Sequence, residues 1–174
     1  MTPVWAARLA YLEEKLRKFP GDGLIAHARQ QISETCRAFA EKPPGIYRLN
    51  VPTGGGKTLS SLRYALAHAK QFGKKRLILT SPLLSILEQN AAVIRAFVGD
   101  DRLILEHHSN VVIESEDEQA DYKRLTERWD SDIILTSLVQ FLNACYAAPN
   151  SAARRFHALT NAVLIFDEIQ SLPK

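Results

Sequence analysis

Along the chain, apolar residues fall into two patterns: stripes at helical spacing and short, nearly unbroken runs. Leu9, Leu12, Leu16 and Phe19 repeat at the spacing of one helical face, and Pro20-Gly21-Asp22-Gly23 ends that helix. A second helix is expected over 24–40 with Ile25, Ala28, Ile32, Cys36 and Phe39 inward. Pro43-Pro44-Gly45 breaks the chain before residues 46–51, whose apolar run reads as a strand. The next helix places Leu59, Leu62, Leu66 and Ala69 on one side and stops near Gly73.

The alternation then repeats. Residues 76–80 form a second strand, apolar enough for burial on both faces, and Ser81-Pro82 turns into a helix striped by Leu83, Leu84, Leu87, Ala91, Ile94 and Phe97. A short strand is expected at 103–105, a solvated acidic loop at 114–118, a helix over 121–129 and a fourth strand at 132–136. A helix from Ser137 to about residue 147 is broken by Pro149-Asn150-Ser151, residues 152–159 make one more short helix, and the fifth strand, 162–166, runs directly into Asp167-Glu168. Short apolar strands alternating with helices predict an α/β domain with a mainly parallel sheet flanked by helices. In such sheets ligands gather at the carboxyl ends of the strands, and Thr53 to Thr58, Ser81-Pro82, Thr136-Ser137 and Asp167-Glu168 are all expected at that edge.

Composition narrows the classes. The 174 residues, 46% of them hydrophobic, suit a core of ordinary size, and no apolar run is long enough for a membrane span. Charged residues interleave the first apolar positions, so no signal peptide is expected and the cytoplasm is the default compartment. Two distant cysteines, Cys36 and Cys145, argue against a disulfide framework or a zinc site. The net charge of +3 is mild, but it is unevenly spread. Residues 1–99 hold 15 basic and 6 acidic side chains, whereas 100–132 hold 4 basic and 11 acidic, so electropositive and electronegative surfaces are expected.

The chemistry concentrates in Val51-Pro52-Thr53-Gly54-Gly55-Gly56-Lys57-Thr58, set between an apolar run and a helix. Glycines let successive backbone N–H groups curl inward onto phosphate oxygens, and the following helix offers its positive end to the same anion. Pro52, Thr53, Gly54, Gly55 and Gly56 would form this P-loop cradle for ATP, Lys57 would reach the β- and γ-phosphates, and the Thr58 hydroxyl would hold Mg²⁺. Val51 stands where the usual pattern has Gly or Ala. Asp167, 110 residues beyond Lys57, would bind Mg²⁺ directly or through water, and Glu168 would orient an attacking water. A phosphotransferase would also need lid arginines, for which Arg154-Arg155 is the only late pair; a non-enzymatic P-loop binding module also stays open. His107 and His108 are adjacent and lack a matching Cys or His cluster, which favours packing or hydrogen bonding over metal ligation.

Together with Glu106-His107-His108-Ser109-Asn110, Thr136-Ser137-Leu138-Val139-Gln140-Phe141 and Phe166-Asp167-Glu168-Ile169-Gln170, the glycine stretch resembles the CRISPR-associated helicase-nuclease of type I interference systems, a superfamily-two helicase. The resemblance runs from about Leu24 onward. It implies a first RecA-like lobe over 42–174 with a helical preface over 1–41, and an ATP-dependent single-stranded-DNA motor in antiviral defence. By this resemblance the glycine stretch is helicase motif I, and Asp167 to Gln170 is motif II, with Gln170, expected among the ATP-binding residues, in place of a histidine found in many related helicases. Ser81, Pro82, Ser85 and Gln89, with Thr136, Ser137 and Gln140, would contact the backbone of single-stranded DNA. Complete members also carry an HD nuclease and a second lobe with an arginine finger. No His-Asp dipeptide occurs here, so an incomplete lobe is expected, one that needs a second lobe and a CRISPR surveillance complex as partners.

Overall fold

The computed structural model describes residues 3–18, 21, 23–52, 54–112, 115–146 and 150–171. Phe19, Pro20, Asp22, Thr53, Glu114 and Pro149, on which parts of the sequence reading fall, lie outside them. The chain divides into two compact units, residues 1–74 with 92–99, and residues 75–91 with 100–174.

In the first unit, helices α1 (Pro3–Arg17) and α2 (Leu24–Phe39) both pack against α3 (Lys57–Phe72). Leu9 and Leu12 of α1 are buried as their spacing predicts, and so are Leu62, Leu66 and Ala69 of α3. Each large apolar side chain so buried contributes about 1.5–3 kcal/mol. Trp5, also buried, donates its indole N–H to the Lys74 carbonyl at 2.7 Å. Gly73 closes α3 in the left-handed conformation, as the sequence led us to expect.

The buried face of α2 differs from the expected one. Ser33, Cys36 and Ala40 are buried, Ile32 is half-buried, and Ile25, Ala28 and Phe39 are exposed. The reason is a polar tie. Arg63 of α3 grips both carboxylate oxygens of Glu13, at 2.8 and 2.6 Å, and donates to the Ser33 hydroxyl at 3.1 Å, which turns Ser33 inward. Phe39 instead sets its ring edge-on to Tyr47, centroids 4.9 Å apart.

The expected strand at 46–51 does not form. These residues are irregular, and Ile46, Tyr47 and Leu49 are exposed. Apolar, β-prone sequence becomes a strand only when a neighbouring edge takes its backbone N–H and C=O groups, and among the described residues no strand pairs with this one.

The second unit is a four-stranded parallel sheet with spatial order β2-β3-β1-β4, built from β1 (Arg76–Ser81), β2 (Ile104–His107), β3 (Ile133–Ser137) and β4 (Ala162–Phe166). It is the expected α/β architecture with one strand fewer. Between the strands run α4 (Leu84–Val98), whose last turns belong to the first unit, then α5 (Glu116–Arg128), α6 (Leu138–Tyr146) and α7 (Asn150–Ala158). Ile78, Leu105 and Ile134 share one core with Trp129, Phe141, Ala144 and Ala158. The central strands are buried throughout, apart from Arg76 at the start of β1.

Helix α5 begins earlier than expected. Ser115 accepts from the Glu118 N–H at 3.2 Å, so Glu116, Asp117 and Glu118 form a helical first turn and not a loop. Three carboxylates at the positive end of a helix, behind a serine cap, stabilise that start.

Candidate functional site

The glycine loop belongs to the first unit. Gly54 and Gly56 both have φ of 78°, and Gly56, left-handed, is the N-cap of α3. Side-chain-bearing residues resist that conformation, so these glycines set the path by which the chain enters the helix. The Gly55 N–H closes a turn onto the Pro52 carbonyl at 3.0 Å. A Cβ at Gly55 would run into the Val51 side chain and come within 3.0 Å of that same carbonyl. Lys57 and Thr58 are the first two residues of α3, both half-buried, and the first turn holds no acidic residue. The first turn of α3 therefore adds no negative charge of its own against an anion at the helix's positive end.

Sequence reading missed Arg29. Its Nε donates to the Gly54 carbonyl at 2.8 Å, and its aliphatic stem lies 3.7–4.0 Å from where a Gly56 Cβ would be. It lies on the exposed side of α2, and only its position beside the loop distinguishes it from the other surface arginines.

The strand-end rim belongs to the second unit. Because the strands are parallel, register fixes which residues meet there: Ser81 pairs with Ser137, Thr136 with His107, and Thr80 with Phe166, just before Asp167. The Asp167 N–H continues the ladder onto the Thr80 carbonyl at 2.9 Å. Its Oδ1 accepts from the Glu168 N–H at 3.0 Å and its Oδ2 from the Asn90 amide at 2.9 Å. Asn90, buried on α4, is a second residue the sequence did not single out. Glu168 has φ of 53°, rare for a residue with a side chain, and its carboxylate accepts from the Gln170 amide.

The other rim residues split by exposure. Ser81 is buried and its hydroxyl accepts from the Leu83 N–H at 3.3 Å; Ser137 accepts from the Gln140 N–H at 3.4 Å. Both are local helix-start bonds. Thr136, fully buried, donates to the His107 carbonyl at 2.8 Å. Pro82 and Gln140 are half-buried, while Ser85 and Gln89 stand exposed on α4. The Gln140 side-chain oxygen accepts from Arg155 at 3.5 Å.

The two histidines have separate hydrogen-bonding tasks. His107 Nδ1 accepts from the Trp129 indole at 3.0 Å, and burial, helped by the charges of Arg155 and His108, pushes its pKa down to about 4. His108 Nδ1 accepts from the Asn110 N–H, which assigns its Nε2 as donor to Glu106 at 3.2 Å. Among the described residues no three His, Cys, Asp or Glu side chains converge as a metal cage. A cation such as Mg²⁺ keeps waters and substrate phosphates and takes few protein ligands. An oriented carboxylate such as Asp167, with lone pairs to spare, fits that demand.

Comparison with known proteins adds two findings. The sequence profile described as DEAD/DEAH box helicase matches residues 30–173. The chain is also similar to the CRISPR-associated nuclease/helicase Cas3 of Haloferax volcanii, 24% identical over 165 residues, which cover 82% of this chain and 18% of the relative. The chain thus spans less than a fifth of the length of that protein.

Proposed function

The chain belongs to the DEAD/DEAH box helicase family, and on that premise we propose that residues 42–174 are the first, nucleotide-binding lobe of an ATP-dependent single-stranded-DNA translocase in CRISPR-based defence, with residues 1–41 as a helical preface. The observation that carries this reading is the glycine loop at the start of α3: two left-handed glycines, lysine and threonine as the first helical residues, and no acid in the first turn. In this reading Pro52, Thr53, Gly54, Gly55 and Gly56 wrap the phosphates of ATP with backbone N–H groups, and Lys57 adds a positive charge. Thr58 and Asp167 would hold Mg²⁺, which when bound offsets the charge that develops on a transferring phosphoryl group. Glu168 orients the attacking water, and Gln170, bonded to Glu168, keeps that carboxylate in place.

Exposed Ser85 and Gln89, with half-buried Pro82 and Gln140, would contact the DNA backbone, while buried Ser81, Thr136 and Ser137 would shape the rim beneath them. The CRISPR role, including recruitment by a surveillance complex, rests on the similarity to the Haloferax protein. In the complete motor an arginine from a second lobe would stabilise transition-state charge, so the 174-residue chain alone is expected to bind nucleotide and turn it over slowly. Titration with a fluorescent ATP analogue and Mg²⁺ tests the reading. Saturable binding lost in Lys57→Ala is expected; no binding at millimolar nucleotide would leave only a retained loop shape.

A further inference from the structure

A second cluster of cations lies within the sheet unit at the end where β1 and β3 begin, opposite the rim that carries Asp167. A cavity of about 430 Å³ there is lined by Arg76, Arg128, Asp130, Arg154, His157 and Ala158. Three guanidiniums and an imidazole thus face one carboxylate. Asp130 is engaged by Arg76 Nη2 at 3.0 Å, and Arg76 Nε is buried with no partner among the described residues. Arg154 reaches outside the cavity to Glu127 at 3.4 Å, and Arg128 has no side-chain partner among the described residues. Helix ends account for part of this charge: Arg128 and His157 sit in the last turns of α5 and α7, where a cation offsets the negative end of the helix. Arg76 opens a strand and Arg154 is in mid-helix, so that explanation does not reach them.

We propose that this cavity is a second anion site, distinct from the glycine loop, that takes a small phosphorylated anion of pyrophosphate to nucleotide size. Guanidinium forks match phosphoryl oxygens two at a time, and the exposed guanidiniums of Arg128 and Arg154 line one space. The volume lies within the range of small-molecule sites. The cations converge on one concavity and do not run as a stripe, which is what a nucleic-acid strand would need.

The test uses the whole chain carrying Lys57→Ala, so that binding at the glycine loop does not contribute and the result is independent of the reading of that loop. Calorimetry and thermal melting at constant ionic strength compare pyrophosphate, inorganic phosphate and a short oligonucleotide. Pyrophosphate is expected to bind saturably and raise the melting temperature, with inorganic phosphate weaker. Adding Arg128→Ala and Arg154→Ala, or Arg128→Glu alone, should weaken pyrophosphate by roughly tenfold or more. Both arginines are exposed, so the variants should keep the parent's circular dichroism. Absence of saturable pyrophosphate binding, equal affinity in the variants, or binding by the oligonucleotide alone would overturn the proposal.

Discussion

Asn90 and Asp167, 77 positions apart in the chain, are joined by a 2.9 Å hydrogen bond from the amide of the first to the carboxylate of the second. With the Glu168 N–H on the other oxygen, the carboxylate is held by a donor on each side. Asn90→Ala should lower stability to urea by about 1 kcal/mol, because it leaves a half-buried carboxylate short of a donor. It should also weaken Mg²⁺-dependent nucleotide binding more than Mg²⁺-free binding. Asn90→Asp should cost more, since it sets a second carboxylate against the first, and part of that loss should return at acidic pH. Unchanged urea midpoints in both variants would mean that the bond has no weight.

Arg29 holds the Gly54 carbonyl from a helix that the sequence marks only as part of a preface. Arg29→Ala is expected to weaken a fluorescent ATP analogue by about tenfold, the equivalent of one charge-assisted hydrogen bond. Arg29→Lys should recover only part of this, because an ammonium lacks the planar fork. Equal affinity in all three proteins would restrict Arg29 to the surface.

His107 gives the fold a pH dependence of known sign. Its native pKa of about 4 lies below the ordinary value of 6.5, so between the two the unfolded chain takes up a proton that the native state refuses. Stability should therefore fall as pH drops from 6.5 toward 4 and level off below, with a loss of about 1 kcal/mol by pH 5 after allowance for solvent screening. Urea unfolding of wild type and His107→Gln across this range measures the effect. Parallel profiles would assign the acid sensitivity to other groups.

Strand β4 ends the sheet, and its outward-facing Leu164 and Phe166 are 39% and 41% exposed. An apolar edge with unpaired backbone groups invites pairing with another chain. Leu164→Lys should raise the monomer fraction in light scattering of concentrated samples, while Phe166, whose ring meets Phe141 edge-on at 5.1 Å, should be less tolerant of the same change. Identical association in wild type and Leu164→Lys would rule out this edge as the sticky surface.

Local chemistry was legible. Left-handed glycines before Lys57, the glycine stop at Gly73, and β-branched or leucine-rich runs in the sheet each follow from a residue's own conformational preference or from a period of two or three to four. Partner-dependent features were not. Residues 46–51 have strand composition but no ladder, and α2 turns a different face inward because Arg63 claims Ser33.

By itself the sequence determined the order of the helices and of the four strands that form, the glycine loop and the acid pair at the end of β4, since each depends on neighbours a few positions away. The tertiary structure alone decided that Arg29 meets Gly54, that Asn90 orients Asp167, and that Arg76, Arg128 and Arg154 surround one cavity. Those contacts join residues 25 to 78 positions apart, and no local preference encodes which distant side chain arrives; packing of the helices and register of the sheet do.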